Sequence, residues 1–126
     1  MENFRKEELK EAFRAIASTI HKSQKVQETL SQKQSSGSSQ LTTFSKKLKV
    51  FRTASLLITS AINEDYSNKY PREDLEETLK TIPSIIRQIE KIMPKFREGT
   101  SQHTLAVRRV KAFNIVSALA MRELNK

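Results

Sequence analysis

Apolar residues recur in the second half of this chain at steps of four and three: Leu75, Leu79, Ile82, Ile86, Ile89, Met93 and Phe96. Because 3.6 residues make one helical turn, such a series lines one face of a helix. The same steps run through Leu9, Phe13, Ile16 and Ile20, then turn polar at Ser23 and Gln27 before Leu30, with Val26 beside the gap. A third stripe follows Leu41, Phe44, Leu48, Phe51, Ser55, Ile58 and Ile62. The segment from Leu105 to Leu124 is apolar nearly all round. Four helices are predicted.

The breaks between them have physical causes. Lys33 to Ser39 is rich in Gln, Ser and Gly, which hold a helix poorly. Gly37 and Gly99 can take the left-handed conformation that ends a helix. Ser38 or Ser39, and Thr100 or Ser101, then suit the N-cap of the next one. Asn63 to Pro71 is polar, and Pro71 suits a first helical position. Pro83 falls inside the best apolar series, where a kink is expected rather than a break, because the series keeps its phase across it.

The chain also repeats itself. Residues 37–58 set on 99–120 agree at eight of 22 positions, among them Gly37/Gly99, Gln40/Gln102, Lys49/Lys111 and Phe51/Phe113. Residues 7–30 set on 73–96 agree at seven of 24, including Leu9/Leu75, Ile16/Ile82 and Ile20/Ile86. The reading is a tandem duplication of a helical hairpin, with units at 4–62 and 71–124. The expected fold is therefore all-α: one domain over 1–126, an up-down-up-down four-helix bundle with pseudo-twofold symmetry between its hairpins.

Composition narrows the functional classes. With 126 residues the chain is long enough for one core. Two glycines and three prolines are too few for an all-β fold. There is no cysteine, hence no disulfide and no thiolate zinc site. No apolar run approaches the ~18 residues of a membrane span, and the first residues have no apolar signal core, so a cytoplasmic protein without membrane contact is expected.

Net charge is +9. No acidic residue falls between Glu28 and Glu64, or between Glu98 and Glu123. If both hairpin loops share one end of the bundle, that end carries 14 bases against three acids, a net +11, and the other end −2. Lys46, Lys47 and Lys49 face Arg108, Arg109 and Lys111 in the repeat, and Arg52 lies one turn on. These bases sit in early helical turns, where the helix dipole disfavours them. With Gln40 and the Gly99-Thr100-Ser101-Gln102-His103 turn they form a candidate site for a nucleic acid or phosphate, bound without base stacking because no aromatic residue is interleaved. An acidic protein is the other partner such a surface fits.

A second candidate surface uses Val50, Leu57 and Ala61 of the second helix with Ala112 and Leu119 of the fourth. They fall away from the main stripes and suggest a homodimer face, or else a diagonal contact of those helices inside one chain. This face carries the alternative reading, a dimeric structural or regulatory protein.

No cofactor or metal motif is present: His21 and His103 have no carboxylate or cysteine at ligand spacing. Arg97 and His103, spaced Arg-x5-His, resemble the arginine–histidine element of HEPN-type helical ribonucleases. That resemblance implies RNA cleavage dependent on His103. Arg14 and His21 have similar spacing, and Leu41 stands where the repeat would match His103, which favours a non-enzymatic reading. The sequence reading is thus a binding or adaptor module whose basic hairpin-loop end meets a polyanion.

Overall fold

The computed structural model describes residues 4–33, 39–65, 67 and 69–125. Within the first hairpin it describes side chains up to Lys22, at Lys25 and from Lys46 onward. Gly37 and Ser38, and the side chains of Ser39, Gln40, Leu41, Phe44, Ser23, Val26, Gln27 and Leu30, lie outside the described residues.

Four α-helices account for almost all of it: α1 (Lys6–Lys33), α2 (Ser39–Ile62), α3 (Arg72–Ile92) and α4 (Ser101–Leu124). No strand occurs among the described residues. The arrangement is compatible with a four-helix bundle: α1 packs on α2 and on α4, α3 on α4, and α2 touches α3 and, across the middle, α4.

Local chemistry sets the helix ends. Glu7 and Glu8 occupy the first turn of α1, and Glu73 and Asp74 that of α3, where carboxylates suit the positive end of the helix dipole. Pro71 is the N-cap of α3, one position earlier than expected, and its carbonyl accepts from Asp74 N–H at 3.0 Å. The linker turns at Glu64, whose φ is 53°, and at Asp65, whose carboxylate accepts from Ser67 N–H at 3.1 Å and Ser67 Oγ at 2.6 Å. Tyr70 then returns to α2, its hydroxyl 3.0 Å from Ser60 Oγ. Helix α3 runs unbroken through exposed Pro83. It ends at Ile92, before the apolar series does, because Pro94 cannot continue it; Met93–Lys95 form a 3₁₀ turn and Phe96 is extended.

The buried faces are rotated from the simple heptad stripe. Leu9, Ala12, Ala15 and Ile16 line the core from α1, while Phe13 is 37% exposed. Leu75, Thr78, Ile82 and Ile85 do so from α3. Each helix serves two neighbours at once, so its buried face is wider than a coiled-coil seam. Thr78 is fully buried, but its hydroxyl donates to Asp74 O at 2.8 Å and is satisfied.

Val50, Leu57, Ala61, Ala112 and Leu119 require a correction. All five are buried in the core of the single chain, so they offer no face to a second copy. Helices α2 and α4 meet across the bundle, where Phe51 contacts Phe113.

Two ion pairs mark where the hairpins meet. Asp74, in the first turn of α3, meets Lys49 Nζ at 3.3 Å, in the middle of α2. Had α3 simply run back alongside α2, Asp74 would stand near the last turn of α2, roughly 16 Å farther along at 1.5 Å per residue. Glu8, in the first turn of α1, meets Lys111 Nζ at 3.7 Å, in the middle of α4. Each open end therefore lies beside the middle of the other hairpin's second helix. Among the described residues the main core cluster reaches Ile89 on α3 and begins at Ala112 on α4, and Ala106 is buried nearer the start of α4. The expected separation of charge into one basic and one acidic end does not hold for these residues.

Candidate functional site

The turn into α4 forms as its sequence requires. Gly99 has φ +86°, and no atom lies within 4 Å of where a Cβ would stand, so the backbone conformation rather than space calls for glycine. Thr100 is the N-cap: its Oγ1 accepts from His103 N–H at 3.3 Å and donates to Arg97 O at 2.7 Å. The cap thus occupies the third N–H of the helix and leaves those of exposed Ser101 and Gln102 for an anion. His103 is half-buried and lines a shallow hollow with Glu90, Met93, Phe96 and Glu98.

The candidate bases divide into three groups. Lys46, Arg52 and Arg108 are exposed, and none forms an ion pair with a described residue. Lys49 and Lys111 are held by Asp74 and Glu8, although their side chains remain 71% and 54% exposed. Lys47 and Arg109 are half-buried. Burial holds the Arg109 guanidinium below its ordinary pKa, and its Nε is buried without a hydrogen-bond partner.

Two grooves bring some of these bases together with acids. Lys46 and Lys49 share a groove with Glu73, Asp74 and Glu77. Arg108 and Lys111 share another with Glu8 and Glu11. Each groove holds two bases and two or three acids, so much of the charge is neutralised locally. Reading the helices in strict alternation missed this. A signal was available: when residues 7–30 are set on 73–96 and 37–58 on 99–120, Glu8 falls on Asp74 and Lys49 on Lys111.

Sequence reasoning also missed the exposure of Ile92, Leu105 and Val107. Among the described residues, no three His, Asp or Glu side chains are grouped to hold a metal ion, and no helix is long and apolar enough to cross a membrane. Compared with protein-family models, curated proteins and solved structures, the chain matches none.

Proposed function

We propose that the chain is a small non-enzymatic binding module that contacts a polyanion, a nucleic acid or another phosphate polymer, through bases on α2 and α4. The observation that supports this reading is the state of Lys46, Arg52 and Arg108. They are exposed and unpaired among the described residues, while the nearby acids Asp74 and Glu8 are already held by Lys49 and Lys111. An approaching phosphate backbone then meets free cations and releases its condensed counterions. The open N–H groups of Ser101 and Gln102 add donors at the start of α4. Side-chain contacts of this kind position a backbone and carry no base readout.

The module is built, in our reading, from two copies of one hairpin about a pseudo-twofold axis. Three pairs of features support that. The two interhelix ion pairs, Lys49–Asp74 and Lys111–Glu8, join equivalent residues. The two mixed-charge grooves are lined at equivalent positions, Lys46, Val50 and Thr53 matching Arg108, Ala112 and Ile115. Phe51 and Phe113 are equivalent and touch each other, as residues beside a twofold axis do.

The direct test is titration of a labelled RNA and a labelled duplex DNA across a salt series. The expected log–log slope is about −0.9 per phosphate neutralised on duplex DNA. A protein that binds neither polymer at low salt would contradict the proposal.

A further inference from the structure

The groove between α2 and α3 is open where the matching groove between α4 and α1 is closed. With residues 7–30 set on 73–96 and 37–58 on 99–120, both are lined from corresponding positions. The α1/α4 groove holds about 10 Å³, room for one water molecule at most. The α2/α3 groove holds about 250 Å³. Its lining is also more polar, because buried Thr53 stands where the closed groove has buried Ile115.

The charges of the open groove do not cancel. Lys49 and Asp74 satisfy each other at 3.3 Å, and Arg72 on α3 is engaged by Glu76 at 2.9 Å. That leaves Glu73, Glu77 and Lys46 in the groove, all exposed and none in an ion pair with a described residue. The hydroxyl of Thr81 reaches Glu77 only at 3.4 Å. Glu73 and Glu77 stand one turn apart on α3, about 6 Å along its axis, where like charges repel. The unanswered set is thus two carboxylates from α3 and one ammonium from α2.

The complement of that set is a small molecule with two cationic groups and one carboxylate. A purely anionic ligand would meet Glu73 and Glu77, and a simple amine would leave Lys46 unanswered. The volume falls below the ~300–1,000 Å³ of pockets for drug-sized ligands, so the occupant is smaller than those. Lysine and arginine have the charges and the size, and their flexible aliphatic stems let the two cationic groups reach two carboxylates one helical turn apart.

We propose that the α2/α3 groove is a binding site for a free basic amino acid, lysine or arginine. Its carboxylate meets Lys46, its two cationic groups meet Glu73 and Glu77, and its stem lies over Val50 and Thr53.

The test is titration of the full chain with L-arginine and L-lysine at constant ionic strength, followed through the backbone amide resonances. Saturable shifts are expected at residues 46–53 and 73–77. Agmatine, which is arginine without its carboxylate, and L-norleucine, which lacks a side-chain cation, should each bind about tenfold or more weakly, because each leaves charge in the groove unanswered. The variant Glu73→Gln/Glu77→Gln, at two exposed positions, should keep its helicity and lose the shifts. Wild type without saturable shifts at these residues overturns the proposal. So does equal binding by agmatine, which would leave only an acidic wall that gathers cations, and so does equal binding by the folded glutamine variant. That variant retains Lys46, Arg52 and Arg108 and should still bind duplex DNA, so amino-acid binding and polyanion binding can each fail without the other.

Discussion

Phe51 and Phe113 meet ring to ring across the bundle, their centroids 5.8 Å apart and their planes inclined at 36°. Phe113 is fully buried and Phe51 nearly so. Each comes from the second helix of its hairpin, so this contact ties the hairpins together at the centre of the core. Phe113→Ala is expected to cost about 3–5 kcal/mol in urea unfolding. In a double-mutant cycle with Phe51→Ala, the pair should show a coupling of about 0.5–1.5 kcal/mol. Strictly additive losses would mean that the rings do not meet.

The two interhelix ion pairs predict a specific proximity. The chain has no cysteine, so introduced thiols report cleanly. Lys49→Cys/Asp74→Cys and Glu8→Cys/Lys111→Cys should both be bridged within one chain by a short bifunctional thiol reagent. Hairpins laid side by side with their loops together would leave both pairs out of reach. The native ion pairs themselves should contribute little. With side chains 71% and 24% exposed in one pair and 54% and 32% in the other, each should show a coupling of about 0.2–1 kcal/mol that fades with salt.

The turn into α4 should respond to two substitutions for different reasons. Thr100→Ala removes the acceptor for His103 N–H and should cost about 1 kcal/mol. Gly99→Ala meets no steric obstacle, so its cost should be only that of a left-handed backbone, roughly 1–2 kcal/mol. Gly99→Asn should recover most of that loss, because asparagine visits this region readily. If Gly99→Ala is neutral by thermal melting, the turn does not hold φ near +86°.

Arg109 gives a prediction of unusual sign. Its guanidinium is disfavoured by burial, and its Nε finds no partner. The depressed pKa still leaves the group charged at every accessible pH, so the penalty is present throughout and no pH transition follows from it. Arg109→Met keeps the apolar stem and removes the orphaned donor. It should leave stability unchanged or raise it by about 1 kcal/mol. A loss above about 2 kcal/mol would reveal a partner for Arg109 and would contradict the account of an orphaned donor.

Much of this fold is legible in the chain, and the illegible part has a clear origin. The steps of four and three from Leu75 to Ile89, the glycine at 99 and the cap at Thr100 mark helices and a turn through local backbone physics. The apolar stripe says which face is buried, but not which helix buries it. For that reason Val50, Leu57, Ala61, Ala112 and Leu119 read equally as a dimer face or as an internal diagonal, and only packing separates the two. The basic segments were legible as residues and not as a surface, because their placement depends on how the helices pack. That packing is set by core contacts such as Phe51–Phe113, and the Lys49–Asp74 pair marks it. Pro94, by contrast, was a readable stop for α3 that the continuing apolar series at Met93 and Phe96 obscured.

The central claim is that exposed, unpaired bases on α2 and α4 bind a polyanion. The most direct measurement compares the salt dependence of duplex DNA binding by the wild type and by Lys46→Glu/Arg52→Glu/Arg108→Glu, with circular dichroism to establish equal folding. The account predicts that the variant binds far more weakly at low salt, and that its log–log salt slope is shallower by about three. Equal affinity and equal slope in a folded variant would contradict it.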